Sequence, residues 1–232
     1  MRESLELFST AGAAASRRGS SLETDLRKRG CSLIAGVDEA GRGPLAGPVV
    51  ACAAIVPFKM HLPGLTDSKL LSDRELNLLY QRLTSSKNVV FATASVDSDE
   101  IDRINILQAS LKAMHLAVQR LSIRPEAVIV DGCFPLETLS VPCFAVVKGD
   151  RLCRRVSAAS VIAKVTRDEL MRKYDQEWPQ YGFASHKGYG TALHLRRLQE
   201  YGPCPIHRRS FAPVAERLAP TQLYLFEVPI KC

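Results

Sequence analysis

The sequence has few aromatic residues, no long hydrophobic run and no secretory signal. Phe, Trp and Tyr make up 6% of its 232 residues, and no apolar segment approaches the roughly 20 residues that a membrane-spanning helix needs. The first thirty residues lack a secretory hydrophobic region, because a short alanine run is followed by two arginines. We therefore expect a cytoplasmic protein.

Cysteine and histidine are present without the spacings of zinc sites. The seven cysteines include no C-x-x-C pair, and the five histidines include no H-x-x-x-H or H-E-x-x-H pair. An odd number of cysteines, mostly within apolar runs, fits reduced thiols better than a disulfide framework. The expectation is therefore neither a zinc protein nor a disulfide-rich secreted domain.

The length and composition indicate one folded domain with tails. A chain of 232 residues with 46% hydrophobic content can bury a single good core. We divide it into a mobile extension over 1–30, a domain over 31–219 that includes C-terminal helices, and a tail over 220–232. No heptad pattern or large apolar face indicates association, so we expect a monomer.

The positive charge is concentrated in one part of the chain. The net charge is +7, and residues 148–210 hold thirteen Lys/Arg against six Asp/Glu, while the segments on either side are balanced. A solvated basic face would explain this excess. Its concentration beside glycines instead favours a polyanionic partner that is bound through its phosphates.

Acidic residues follow several apolar strands. The apolar run 33–37 predicts a buried strand that leads into Asp38, Glu39 and a glycine-rich turn. Two further short strands, over 127–130 and 143–147, are followed by Asp131 and Asp150. One such acid is an ordinary turn residue, but open α/β sheets place their sites at the carboxyl ends of strands.

Four carboxylates gathered at one sheet edge would repel one another unless a cation neutralised them. A set of oxygen ligands without His or Cys indicates Mg²⁺ or Mn²⁺ rather than zinc. Asp168 is a weaker candidate for this set, because Lys164 lies one helical turn away on the predicted helix 157–173 and an ion pair explains it equally well.

The other expected elements are a strand over 49–57 that pairs antiparallel with the first, a capped helix over 72–83, a strand over 88–96, an amphipathic helix through 107–121, a basic helix over 193–200 and a short helix over 211–219.

Two glycine motifs that bind phosphates do not fit the opening turn. The spacing of Gly36 and Gly41 matches a P-loop, but Arg42 and Gly43 stand where Lys and Ser/Thr are needed. The glycines at 41, 43 and 47 miss the dinucleotide fingerprint by one residue, and the acids precede the turn. Both alternatives fail.

The chain resembles the type 2 ribonuclease H family, bacterial branch, over about 33–209. The resemblance rests on GVDEAGRGPLAGP at 36–48, LTDSK at 65–69, NILQAS at 105–110, VDG at 130–132, KGD at 148–150, SAASVIAK at 157–164 and HKGYGT at 186–191. It implies a ribonuclease H-like α/β fold, with a mixed central sheet of about five strands flanked by helices and a small C-terminal helical portion.

The resemblance also implies an activity and a set of residues. The activity is endonucleolytic cleavage of RNA in RNA–DNA hybrids and 5′ to single ribonucleotides in duplex DNA, by a two-metal mechanism that leaves 5′-phosphate and 3′-hydroxyl ends. The implied catalytic and metal-binding carboxylates are Asp38, Glu39, Asp131 and Asp150. The implied contacts to the 2′-hydroxyl and ribose are Gly41, Arg42, Gly43 and Tyr189.

Two further sets of contacts are hypotheses. Charge and loop position indicate that Arg42 and four lysines contact phosphates: Lys69, Lys148, Lys164 and Lys187. The tail segment QLYLF at 222–226 resembles the pentapeptide that docks bacterial repair proteins on the DNA sliding clamp, with Gln222, Leu223, Leu225 and Phe226 as its anchors. Folding of these apolar residues back onto the domain, or an edge strand, are the alternatives.

Two other functions are considered. A catalytically idle adaptor that ties such duplexes to the clamp would be favoured by loss of one of the four acids, and none is lost. A DNA nuclease or resolvase of the same fold would share the acids but would not need the Gly-Arg-Gly turn together with Tyr189.

Overall fold

The computed structural model of the chain describes residues 19–65, 68 and 71–218, with only the main chain for 19–21. It contains five strands, β1 (Ile34–Ala40), β2 (Val49–Ile55), β3 (Val90–Val96), β4 (Ala127–Asp131) and β5 (Cys143–Val146). The helices of the described residues are α1 (Gly19–Lys28), α2 (Asp73–Thr84), α3 (Ser98–Gln119), α4 (Gly149–Leu152), α5 (Arg154–Glu177), α6 (Phe183–His186), α7 (Ala192–Tyr201) and α8 (Ala212–Leu218).

The strands form one mixed sheet in the order β3-β2-β1-β4-β5. β1 pairs antiparallel with β2, and β2 pairs antiparallel with β3. On its other edge β1 pairs parallel with β4, and β4 pairs parallel with β5. The carboxyl ends of β1, β4 and β5 therefore lie at the same edge of the sheet, which confirms the predicted fold class.

Helices cover both faces of the sheet. One face packs the alternate residues Ala35 and Val37 of β1 against α3, where Ala113 and Met114 are buried. The opposite face packs Cys52 and Ala54 of β2 against α2 and α5. Both faces of β1 and β2 are covered, so their successive side chains are buried whichever face they point to. This accounts for the near-continuous hydrophobic sequence of the two strands.

α5 lies close against β1 because Gly36 has no side chain. A β-carbon at Gly36 would lie 2.1 Å from the carbonyl carbon of Arg155. The close approach places the first turns of α5 directly beside Asp38.

The N-terminal helix α1 differs from the prediction of a mobile extension over 1–30. Leu26 is buried with Ile34 and Val156. The Glu23 carboxylate accepts a hydrogen bond from the Arg155 main chain at 3.0 Å and pairs with the Arg155 guanidinium at 3.2 Å. Since it thereby satisfies free N–H groups at the start of α5, the helix at 19–28 packs against the domain that the sequence analysis begins at residue 31.

The predicted cap of α2 is a capping box: the Ser72 hydroxyl accepts from the Glu75 main chain, and the Glu75 carboxylate accepts from the Ser72 main chain. α3 is interrupted at Asn105, which has φ 66°. The Asn105 side chain accepts hydrogen bonds from the main chains of Leu107 and Gln108 at 3.0 and 3.1 Å. Asn105 therefore caps a second helical segment, and the amphipathic stripe begins after it.

Within the described residues no helix is both long and apolar enough to cross a membrane. The six cysteines of this part of the chain are all unpaired.

Candidate active site

The predicted acids lie at one edge of the sheet. Asp38 and Glu39 occupy the end of β1, and Asp131 ends the neighbouring parallel strand β4. Asp150 lies in α4, one turn after β5, where Lys148 adopts a left-handed conformation with φ 59°. The main chain of Gly149 donates a hydrogen bond of 2.7 Å to the Asp131 carboxylate. The strand order thus brings these four residues to the edge that the sequence indicates.

Burial and mutual repulsion disfavour the charged forms of the first two acids. Burial raises the pKa of Asp38 well above its ordinary value, and the charges of Glu39 and Asp131 raise it further, while a hydrogen bond from Ser160 opposes the shift. Burial also raises the pKa of Glu39, although the Arg42 charge lowers it. Two interacting carboxylates that each resist ionisation are a suitable environment for a divalent cation.

One carboxylate oxygen at this edge has no partner. Among the described residues, the buried Oε2 atom of Glu39 receives no hydrogen bond, whereas its Oε1 atom lies 3.3 Å from the Arg42 guanidinium. A buried acceptor without a donor is costly, and a cation would satisfy it. The same part of the chain holds no preassembled group of three or more His, Cys, Asp or Glu side chains around one point. The donor chemistry therefore fits Mg²⁺ or Mn²⁺, which are commonly bound by few carboxylates together with substrate phosphate.

The glycine-rich turn that follows β1 is held from below by a buried arginine. The Arg208 guanidinium, 0% exposed, donates to the carbonyl oxygens of Gly41, Arg42 and Gly47 at 2.5, 2.8 and 2.8 Å. These carbonyls therefore point into the protein. Within the described residues, no acceptor is present for the main-chain N–H groups of Arg42 and Gly43, which leaves them available to a ligand.

A second buried arginine joins the turn to the loop that carries Tyr189. Arg167 of α5 donates to the carbonyl oxygens of Pro48, Ala46 and Lys187 at 3.0, 3.1 and 2.9 Å. The main chain of Leu45 also donates to the Gly188 carbonyl at 2.8 Å. The turn and the loop are consequently fixed relative to each other.

Tyr189 lies across from Gly43. Its side chain is 47% exposed, and its Cε1 atom lies 3.8 Å from the position that a β-carbon on Gly43 would take. The aromatic ring therefore lies beside the same turn whose Arg42 side chain pairs with Glu39.

The candidate phosphate contacts differ in their availability. Lys148 is exposed beside Asp150, and Arg42 is paired with Glu39. Lys164 pairs with Asp168 at 2.6 Å, which is the structural ion pair proposed for Asp168. The Lys187 ammonium donates to the Ala184 carbonyl. Lys69 and the tail residues Gln222, Leu223, Leu225 and Phe226 lie outside the described residues.

Sequence reasoning missed the residues that support the turn. Arg167 and Arg208 were counted with the basic excess of 148–210, yet both are buried, as is Arg155. Three of the thirteen cations in that segment are therefore structural and cannot contact a polyanion. His194 and His207, which meet at 3.0 Å, show no motif spacing. A buried arginine cannot be recognised from the sequence when no pattern of apolar residues surrounds it.

The chain is similar to the proteins of one known family. The family described as Ribonuclease HII matches residues 35–214. A ribonuclease HII of Chlamydia muridarum is 48% identical over 203 residues, covering 87% of this chain and 92% of the relative. A ribonuclease HII of a Polaromonas species is 52% identical over 186 residues, covering 80% and 92%.

Solved structures show the same fold. The ribonuclease H2 of Pyrococcus horikoshii matches with a TM-score of 0.66 and 29% identity, covering 79% of this chain and 96% of that one. The PCNA–RNase HII complex of Archaeoglobus fulgidus matches with a TM-score of 0.67 and 24% identity, covering 77% and 95%. Bst-RNase HIII in complex with Mn²⁺ matches with a TM-score of 0.63 and 20% identity, covering 89% and 75%.

Proposed function

The chain belongs to the ribonuclease HII family of metal-dependent endonucleases that act on RNA–DNA hybrids, and on this premise we propose that it also nicks duplex DNA 5′ to single embedded ribonucleotides. The observation that carries the proposal is that Tyr189 faces Gly43 in the same short turn whose Arg42 pairs with Glu39. A site that must recognise one ribose needs its sugar contacts next to the bond to be cut.

We propose that Asp38, Glu39, Asp131 and Asp150 hold two Mg²⁺ or Mn²⁺ ions. When bound, such ions supply an activated water and stabilise the leaving 3′ oxygen. The support from the structure is the unpartnered Glu39 oxygen together with the raised pKa of Asp38 and of Glu39. Burial is the main cause for both groups, and the charge of Asp131 raises the pKa of each further. Asp131 keeps its orientation through the hydrogen bond from Gly149.

The orientation of the N–H and carbonyl groups of the turn supports a role in recognising the ribose. The 2′-hydroxyl is the group that distinguishes RNA from DNA, and its oxygen is an acceptor. We propose that the N–H groups of Arg42 and Gly43 donate to it, since Arg208 draws the carbonyls of the turn inward, and that Gly41 permits the turn. The Tyr189 ring would pack on the same ribose across from Gly43.

Phosphate contacts are proposed for Lys69, Lys148, Lys164 and Lys187, with Arg42 as a further cation. Lys148 is the best placed of those described, because it is exposed next to Asp150.

The proposed cellular setting is the cytoplasm, in ribonucleotide excision repair and in DNA replication, with the protein acting as a monomer. Sedimentation of the purified chain tests the last point, and a dimer mass would contradict it.

The decisive assay uses three duplexes: DNA with one ribonucleotide, an RNA–DNA hybrid, and DNA alone. Each is incubated with Mg²⁺, Mn²⁺ or a chelator. We expect a metal-dependent nick on the 5′ side of the ribonucleotide. The 3′-hydroxyl is checked by direct polymerase extension and the 5′-phosphate by resealing with ligase. Cleavage of the hybrid without any nick at the single ribonucleotide, or equal cutting of all-DNA duplex, would refute the proposal.

We also propose that the 222–226 segment docks on the DNA sliding clamp through Gln222, Leu223, Leu225 and Phe226. The support is its sequence and the solved complex of an archaeal RNase HII with PCNA. The test measures clamp binding of the full chain and of the double variant Leu225→Ala/Phe226→Ala. Loss of binding with unchanged nuclease activity is expected, and equal binding by both proteins contradicts the proposal.

A further inference from the structure

Three of the five histidines meet in the interior beneath the Tyr189 loop. His194 and His207 are 0% and 1% exposed, and His186 is 8% exposed. The His186 and His194 rings stack with their centroids 4.4 Å apart, and the Nε2 atoms of His194 and His207 are 3.0 Å apart. The proposed reaction uses none of these rings.

The hydrogen bonds of His194 and His207 can run in only one direction. The Nδ1 atom of His194 lies 2.9 Å from the Tyr189 carbonyl oxygen, which can only accept, so Nδ1 carries the proton. A neutral imidazole has one N–H, and the Nε2 atom of His194 therefore accepts from His207. The Nδ1 atom of His207 then accepts from the Cys204 main chain at 3.0 Å.

The result is a continuous chain of donors: Cys204 N–H to His207, His207 to His194, and His194 to the Tyr189 carbonyl. We call these four residues the histidine relay. The Nδ1 atom of His207 also lies 3.1 Å from the Cys204 sulfur, and the pattern requires both rings to be neutral. A proton added to His194 would set its Nε2–H against that of His207 at the 3.0 Å contact. A proton added to His207 would set its Nδ1–H against the Cys204 N–H, also at 3.0 Å.

The relay begins at a segment that also supports the glycine turn. His207 forms an antiparallel bridge with Ala46, the Gly47 main chain donates to the Ile206 carbonyl at 2.8 Å, and the Arg208 main chain donates to the Leu45 carbonyl at 2.8 Å. One short segment therefore contacts the turn through its main chain and Arg208, and reaches Tyr189 through His207 and His194.

At its other end the relay fixes the main chain of Tyr189. The Tyr189 carbonyl accepts from His194 and from the Thr191 main chain at 2.8 Å, and the Tyr189 N–H donates to the His186 carbonyl at 2.9 Å. The ring itself is half-exposed and has solvent on one side. Its position over Gly43 is consequently set through its main chain.

We propose that His194 and His207 are positioning residues that hold Tyr189 opposite Gly43 and thereby set the preference of the enzyme for a single ribonucleotide. This inference rests on the role of Tyr189 in the proposed function. It assigns to two buried histidines a part in substrate selection that they perform without touching the substrate.

A matched pair of substitutions tests the donor to Tyr189. His194→Asn places an amide N–H near the position of Nδ1, whereas His194→Leu has a similar shape and no donor. The measured quantity is kcat/KM on duplex DNA with one ribonucleotide, divided by kcat/KM on an RNA–DNA hybrid. We expect His194→Leu to lower this ratio about 10-fold or more, because misplacement of a positioning group by about 1 Å is costly, and His194→Asn to stay within about 2-fold of the wild type.

A double-mutant cycle with Tyr189→Ala separates positioning from general stabilisation. If His194 acts through Tyr189, adding His194→Leu to Tyr189→Ala leaves the ratio unchanged. An equal loss of activity on both substrates, or a further fall of the ratio in the Tyr189→Ala background, overturns the inference. A Tyr189→Ala variant with the wild-type ratio would remove the premise and refute the proposed role of Tyr189 as well.

A second pair covers the case in which His194→Leu does not fold. His207→Gln retains an amide donor toward His194, and His207→Met is similar in shape without it. Circular dichroism and thermal unfolding establish that both variants are folded. We expect the ratio to fall in His207→Met and to be largely retained in His207→Gln, and equal ratios in the two variants contradict the relay.

Discussion

The Tyr189 ring faces Gly43, with its Cε1 atom 3.8 Å from the point that a β-carbon on Gly43 would occupy. A methyl group fits there without a clash, yet it would fill space that we assign to the ribose. We expect Gly43→Ala to change the free energy of unfolding by less than about 0.5 kcal/mol and to lower cleavage at a single ribonucleotide by at least about 10-fold. Urea unfolding and single-turnover cleavage measure the two effects.

Gly41 provides the contrasting substitution on the same turn. It has φ +97°, and a β-carbon there would lie 2.0 Å from the Nε atom of Arg167. Gly41→Ala is therefore expected to destabilise the fold itself, by about 2 kcal/mol or more. Equal stability of the Gly41→Ala and Gly43→Ala variants would contradict this account of the turn.

Arg208 is predicted to be a main support of the turn. Arg208→Met keeps much of the side-chain volume but removes the hydrogen bonds to the carbonyls of Gly41, Arg42 and Gly47. We expect a loss of about 3 kcal/mol in unfolding free energy, since several carbonyls then lack a donor. The adjacent, exposed Arg209 is the control: Arg209→Met should change stability by less than about 0.5 kcal/mol.

The acids were predictable because strand periodicity and strand ends are local features. The apolar run before Asp38 and the run before Asp131 each place a carboxylate at the end of a buried strand, and parallel pairing of β1 with β4 brings the two together. The capping box of Ser72 and Glu75 is equally local. These features needed no knowledge of the packed core.

The supports of the site depend on contacts between distant segments. Arg208 reaches the carbonyl of Gly41 across 167 positions, and Glu23 reaches the main chain of Arg155 across 132. In the sequence, Arg208 and Arg155 are typical of a basic surface, and the residues of α1 are typical of a polar extension. Only burial distinguishes a structural arginine from one that binds phosphate, and burial is a property of the assembled fold.

Asp38 is predicted to lower stability while it supports catalysis. Burial and neighbouring negative charges raise its pKa, so Asp38→Asn, which keeps an acceptor for the Glu39 main chain, should raise the melting temperature of the metal-free protein. Cleavage should fall by at least about 1000-fold, while duplex binding is largely spared. Thermal unfolding with chelator and with Mg²⁺ tests a further consequence, because the ion should stabilise the wild type more than the variant.

Asp131→Asn should behave in the same way toward cleavage, because Asp131 belongs to the same set of acids. Asp168→Asn is the control: Asp168 is paired with Lys164, so its variant should lose stability and retain cleavage. Retention of cleavage by Asp38→Asn or Asp131→Asn would show that the assigned acids do not perform the reaction.

The histidine relay predicts that stability decreases in mild acid. Burial lowers the pKa of both His194 and His207 to about 4, against about 6.5 in the unfolded chain. Between these values the unfolded chain binds more protons, so stability is complete above about pH 6.5 and falls as the pH drops toward about 4, by at most about 1.4 kcal/mol per pH unit for each ring. His186, Cys204 and Tyr181 face the two rings.

The histidine contribution can be isolated from that of the acids by comparing variants. Because the pKa values of Asp38 and Glu39 are raised by burial, these groups act in the opposite direction and lower stability as the pH rises through their folded-state pKa. The free energy of unfolding of the wild type and of His194→Asn is measured in urea between pH 4.5 and 7. The contribution of Asp38 and Glu39 is common to both proteins and cancels when the two free energies are subtracted. The variant has one titrating ring fewer and retains a donor to Tyr189, so its stability should fall less steeply below pH 6.5. Equal slopes would mean that His194 takes up its proton at the same pH in the folded and the unfolded chain, and this result would contradict the donor pattern of the histidine relay.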